Sequence, residues 1–165
     1  MARGVLSPAR LNAGGVKIGI DAVDVATGER RELADYVAGG GETIGPYTFR
    51  QEALAWAIAR LEEAVAGGQR GGDAGLLVVD EVGPLELVHQ GGFAAILEPL
   101  ADPERVPHAL VVVRQQYVDV LERLLGRSDT RRFWVDEAQR DALPAQIALA
   151  LETTPRRQDA KTQGF

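Results

Sequence analysis

The sequence predicts an α/β sandwich: a mainly parallel sheet with helices on both faces. Two all-apolar runs, LLVVD at 76–80 and ALVVV at 109–113, suit strands buried on both sides. Helical periodicity lies between and after them, and glycine-rich or polar connectors separate the two patterns.

Taken in order, residues 16–25, VKIGIDAVDV, place Val16, Ile18 and Ile20 on one face and Val23 and Val25 on the other. The alternation slips near Asp21 and Ala22, which predicts a strand with a bulge or bend. TGE at 27–29 is a turn and RRELA a second short strand, closing a hairpin. VAGGGETIGPYTF is a glycine-rich loop with a short strand at 44–49; such a loop is either a linker or a backbone that approaches a ligand closely. Leu54, Ala57, Ile58, Leu61 and Val65 recur at helical spacing from Gln51 to Ala66, with Gly67 and Gly68 as the stop. Trp56 lies roughly 200° from Leu54 on that wheel, so it is expected under the 16–34 hairpin or another chain. After LLVVD, helical spacing returns in Phe93, Ile96, Leu97 and Leu100; ALVVV follows, then a helix through Val118, Leu121 and Leu125. FWV at 133–135 reads as a third short strand with Trp134 in the core, and Pro144 suits the first turn of a last helix ending near Leu151.

The 165 residues, 45% hydrophobic and 25% charged, suit one core. Residues 1–151 are expected to form a single domain and 152–165 a disordered tail. No cysteine is present, which excludes disulfides and thiolate ligands and leaves a hard, oxygen-ligated ion such as Mg as the fitting metal. A net charge of -6 offers no basic surface for a nucleic-acid backbone. No run of 18 apolar residues and no signal-peptide start appear, so a cytoplasmic protein without a membrane partner is expected.

Asp80 and Glu81 directly follow the apolar run. Ligands of parallel sheets bind outside the carboxyl ends of the strands, where Asp80, Glu81 and Arg114 would emerge together. An apolar strand ending in Asp-Glu fits the Walker B pattern, in which the first acid holds Mg and the second orients and deprotonates the attacking water. Carboxylates that cap the next turn, or sit solvated, give the same pattern without chemistry.

GVLSPAR, VKIGIDAVDVATGERRELA, IGPYTF before a helix and LLVVDEVGPLEL together resemble the P-loop nucleoside-triphosphatase family called thermophilic or cancer-related NTPase, over about residues 4 to 150. The resemblance implies a RecA-like P-loop fold with an inserted β-hairpin, and Mg-dependent hydrolysis of ATP, GTP and other nucleoside triphosphates to the diphosphate and phosphate. It implies Asp80 as the Mg-side acid and Glu81 as the catalytic base. Gly83 and Glu86 match the rest of the signature, and Pro84 stands where some members carry lysine. The family opens with a strand and a GxxxxGK[ST] loop whose amides cradle phosphates. Here Lys17, in GGVKIG, lacks the following Ser or Thr, and Lys161 is preceded by Asp159 and Ala160. The first strand and P-loop are therefore missing from this sequence. An amino-terminal truncation, a second polypeptide supplying the loop, and a degenerate relative are all open. Weak or absent hydrolysis by this chain alone is expected, with a non-catalytic α/β binding or assembly module as the alternative. The unpaired flank of ALVVV favours a homo-oligomer or a second chain.

Arg114 is placed against phosphate, with a salt bridge to Asp80 or Glu81 as its structural alternative. Lys17 and Arg10 are phosphate candidates against a reading as solvated surface charges. Tyr47 is a base-stacking candidate against packing over the hairpin. His89 and His108 have no second ligand at metal spacing.

Overall fold

The structure, a computed structural model, describes residues 1–37, 46–69 and 75–153. It divides into two units, Met1–Ser128 and Asp129–Phe165. The first carries β1 (Arg3–Leu6), β2 (Ala9–Leu11), β3 (Lys17–Asp24), β4 (Arg30–Tyr36), β5 (Tyr47–Phe49), α1 (Gln51–Gln69), β6 (Leu77–Val82), α2 (Pro84–Leu87), α3 (Leu97–Ala101), β7 (Ala109–Val113) and α4 (Val118–Leu125), with single 3-10 turns at Ala94–Ile96 and Gln115–Tyr117. The second carries α5 (Leu143–Thr153).

The strands form one sheet in the order β5-β4-β3-β1-β6-β7, with β2 also paired to β3. This corrects the expected RecA-like, mainly parallel sandwich. Among the described residues only β1–β6 and β6–β7 are parallel, while β1–β3, β2–β3, β3–β4 and β4–β5 are antiparallel, and the sheet is curled into a half-barrel. The two apolar runs do pair in parallel as β6 and β7. Short connections join β2 to β3 and β3 to β4, and such connections bring antiparallel neighbours together. The hairpin is β3 and β4, and its register shifts between Ile20 and Asp21, where the alternation slips in sequence. A second shift at Arg10 and Leu11 adds local bending.

β1 and β2 run successively along the same edge of β3, interrupted at Ser7 and Pro8. Pro8 has no N–H to give to a ladder, so the strand breaks there and Pro8 instead accepts the Asp21 N–H through its carbonyl. β1 also lies against β6, and Gly4 is what admits it: φ is +126° and a Cβ would stand 2.0 Å from the Val78 carbonyl oxygen.

Val5, Leu77 and Val79 of the strands share one cluster with Ala57, Leu61 and Val65 of α1, with Phe93, Ile96, Leu97 and Leu100, and with Leu121 of α4. Fully burying each Leu or Val contributes about 1.5–3 kcal/mol. Double-sided cover does not extend to β7. This strand ends the sheet, and Val112 is 43% exposed. An apolar run reports what a strand can bury, not what covers it.

α1 continues through Gly67 to Gln69 instead of stopping at the glycine pair. Trp56 is half-buried with the Arg31 guanidinium of β4 4.6 Å from its ring centroid, so the hairpin covers it as expected. FWV at 133–135 is not a strand and Trp134 is 50% exposed, against the core expectation. Pro144 falls in the first turn of α5, which ends at Thr153. The glycine-rich loop at 38–45 and the tail from 154 onward lie outside the described residues. No described helix is long and apolar enough to cross a membrane.

Candidate functional site

β1, β6 and β7 are parallel neighbours, so their carboxyl ends lie on one side of the sheet. Ser7 follows β1, Asp80 and Glu81 lie near the carboxyl end of β6, and Arg114 follows β7. Arg114 donates to Glu81 Oε1 from both Nε, at 3.0 Å, and Nη2, at 2.8 Å. That hydrogen-bonded charge holds the guanidinium pKa above its ordinary value. Asp80 is answered differently. The Ser7 N–H donates to Asp80 Oδ2 at 2.9 Å, and the Ser7 hydroxyl donates to the Asp80 backbone carbonyl. The Asp80–Glu81 peptide is cis. Burial pushes the Asp80 carboxyl pKa up, the Ser7 N–H opposes that shift, and the neighbouring Glu81 charge adds to it.

The segment after β6 is pinned by a buried carboxylate. Gly83 is extended and precedes Pro84 at the start of α2. Glu86, 5% exposed, accepts the Gly83 N–H on Oε2 at 2.9 Å and the Phe93 N–H on Oε1 at 3.1 Å. Burial raises its pKa against the pull of these amides. Glu86 therefore ties the start of α2 to the segment that carries Phe93, which gives the GPLE part of the DEVGPLEL signature a physical role.

A cleft of about 110 Å³ opens at these strand ends, with Ser7, Glu81, Arg114 and Tyr47 on its polar rim and Leu54 and Phe93 among its apolar walls. Of the catalytic, phosphate and base-stacking candidates named from the sequence, Glu81, Arg114 and Tyr47 come together here. Asp80 is not among the lining residues; it stands behind Ser7, so the expectation that both carboxylates face the cleft holds for Glu81 alone. Lys17 is also outside the lining, with its ammonium 5.0 Å from the Tyr47 ring centroid. Tyr47 meets Tyr36 edge to face at 5.8 Å, so it packs over the hairpin while touching the cleft. Arg10 is held by Glu32 at 2.5 Å and by Asp35 in a network shared with Arg50, which accounts for its charge without phosphate. Sequence reasoning passed over Ser7; its only signal was its place in GVLSPAR.

Among the described residues no group of three His, Asp or Glu side chains could hold a metal by itself. His89 is exposed and His108 half-buried. Mg, however, keeps several waters and is commonly bound through one or two carboxylates plus substrate phosphates. A part-buried Asp80 beside the Glu81 charge, with its pKa raised, gains from a nearby cation. These side chains make no cage by themselves, so an ion here would have to arrive with most of its own ligands.

The sequence profile of the NTPase family matches residues 2–148. Nucleoside-triphosphatase THEP1 of Thermofilum pendens is 32% identical over 136 residues, covering 82% of this chain and 71% of that protein. The protein of the same name from Methanopyrus kandleri is 31% identical over 144 residues, covering 87% and 75% respectively. The crystal structure of THEP1 from the hyperthermophile Aquifex aeolicus resembles this one with a TM-score of 0.68 at 16% identity, over 90% of this chain and 83% of that one; this is a likeness of fold.

Proposed function

The chain belongs to the THEP1 nucleoside-triphosphatase family, and from that premise we propose that the cleft at the ends of β1, β6 and β7 handles a nucleoside triphosphate. The observation that carries this reading is the convergence of Ser7, Glu81 and Arg114 from three adjacent parallel strand ends. Arg114 neutralises phosphate charge once it is shared with, or released from, Glu81. Glu81 then takes the proton of the attacking water, and Asp80 is the acid on the metal side. Bound Mg would supply charge neutralisation at the phosphate oxygens. Tyr47 offers a ring for stacking on the base, with Lys17 beside it.

Turnover by this chain alone is proposed to be weak or absent. The 165 residues hold no GxxxxGK[ST] stretch, so neither its cradle of amides nor its lysine is supplied to the β/γ-phosphates. Phosphate release from ATP and GTP, with and without Mg, tests this. The expected rate is far below the ~10 s⁻¹ common for enzymes. Mg-dependent turnover at an ordinary rate, abolished by Glu81→Gln, would overturn it. A phosphate-binding-loop segment added in trans is expected to raise the rate.

A second reading, a non-catalytic α/β binding or assembly module, is favoured by the Glu81–Arg114 ion pair, in which each charge is already answered within the chain. Absence of nucleotide binding to a folded protein, with or without Mg, selects it. In either reading the half-exposed β7 at the sheet edge favours a homo-oligomer or a second chain along that flank; sedimentation tests this.

A further inference from the structure

We propose that Glu86 is the positioning residue of the cleft, with its carboxylate setting where the Glu81–Arg114 pair stands at the rim. The inference rests on the nucleotide-site reading above and adds to it a buried residue that acts through its neighbours. Each Glu86 oxygen takes one backbone N–H: Gly83 on Oε2 at 2.9 Å and Phe93 on Oε1 at 3.1 Å. Gly83 precedes α2 and Phe93 follows it, and both line the cleft. Glu86 therefore closes the chain between two wall residues into a loop. A carboxylate offers two acceptors and no donor, which is what two converging N–H groups require.

The link to the rim runs through Gly83. It stands two residues after Glu81, and a Cβ built on it would lie 3.8 Å from Arg114 Nε, an ordinary contact distance. That Nε, with Nη2, is what donates to Glu81 Oε1. Holding the Gly83 amide thus fixes both the backbone from which Glu81 projects and the surface beside which the guanidinium lies. The chain also closes tightly round the carboxylate from the far side. At Gly92 φ is +55° and a Cβ would stand 2.3 Å from Glu86 Oε1, so glycine meets both the backbone conformation and the close approach. The two carboxylates feel one another as well. Burial raises the Glu86 pKa first, the Gly83 and Phe93 amides oppose it, and the Glu81 charge adds to it.

The test is hydrogen exchange of the Arg114 Nε–H in the isotopically labelled full chain, wild type against Glu86→Gln. The Arg50 Nε–H, which donates to Asp35 Oδ2 at 3.0 Å in the antiparallel half, is the internal control. Glutamine keeps one acceptor oxygen and turns an NH2 group towards the other amide, so one of the two amides loses its acceptor. The Arg114 Nε–H is expected to exchange roughly two- to tenfold faster, the factor that corresponds to one ordinary hydrogen bond, with Arg50 unchanged. A merely structural role would move both arginines together or neither. Unchanged Arg114 exchange in folded Glu86→Gln, or an equal rise at Arg50, overturns the proposal. Should Glu86→Gln fail to fold, Gly92→Ala decides by the same readout: it leaves the carboxylate in place but presses on it, and Arg114 exchange equal to wild type there overturns the proposal. Failure of the nucleotide reading shows separately, as absence of Mg–ATP shifts in the folded wild type, whatever Arg114 does in the variants.

Discussion

The antiparallel strands β2 to β5 and the parallel strands β1, β6 and β7 share a sheet but neutralise their charges in different ways. In the antiparallel half Arg10 and Arg50 both reach Glu32 and Asp35, Arg30 answers the buried Asp21 at 2.9 Å, and Asp24 accepts from Ala26 N–H and the Thr27 hydroxyl within its own turn. In the parallel half Glu81 has Arg114, but Asp80 is held by hydrogen bonds from Ser7, and its carboxyl pKa is raised where that of Asp35 is lowered, by Arg50 first and Arg10 next. One set of charges completes the fold. In the other, Glu81 has an arginine while Asp80 has hydrogen bonds and no ion pair among the described residues, its carboxyl pKa raised first by burial.

The largest effect is expected where the parallel half is pinned. Glu86→Ala leaves the Gly83 and Phe93 amides without their acceptor, and each buried donor left unsatisfied costs roughly 1–3 kcal/mol. A loss of about 3 kcal/mol in urea unfolding is the expected outcome. A loss well under 1 kcal/mol would mean that the pin is dispensable. Next comes Glu81→Gln. With the carboxylate charge gone, Arg114 is released for phosphate, and Mg–ATP affinity measured calorimetrically is expected to rise severalfold while turnover falls further. Unchanged affinity would indicate that Arg114 does not meet the nucleotide.

The two halves should also respond to pH with opposite signs. Asp35 has a depressed pKa, so its stabilising contribution is present above the ordinary value of 3.8 and is lost as pH falls through the depressed value. Asp35→Asn is therefore expected to cost at most about 1 kcal/mol at neutral pH, given the exposure of the pair, and nothing in strong acid. Asp80 has a raised pKa, so the folded state is penalised as pH rises from 3.8 through the raised value. Asp80→Asn, which can still accept the Ser7 N–H, is expected to be slightly more stable than wild type at neutral pH, with the difference fading as pH falls towards 3.8. Thermal melts of both variants from pH 3 to 8 check the signs; parallel profiles would erase the distinction between the halves.

Sequence periodicity was sufficient for β6, β7, the bulged hairpin and α4 because each buries its apolar face within its own short window. It was silent on β1 and β2. RGVL and ARL are short and mixed, and they are strands because β3 and β6 offer them edges. Their antiparallel pairs with β3 were therefore not legible, whereas β6 and β7 pair in parallel as expected; apolarity on both faces of ALVVV nevertheless carries no information about its place at the sheet edge, where Val112 is half exposed. At the site, Asp80, Glu81 and Arg114 were legible as strand-terminal charges. Ser7 was not, because a serine between a leucine and a proline acquires its role only when β1 lies beside β6.

The most direct test of the nucleotide-site reading is amide chemical-shift mapping of the isotopically labelled chain during titration with Mg–ATP. The reading predicts saturable shifts at Ser7, Glu81, Gly83, Arg114 and Tyr47, with Arg10, Glu32, Asp35 and Arg50 unmoved. Shifts confined to that antiparallel charge network, or none in a folded protein at millimolar nucleotide, would contradict it.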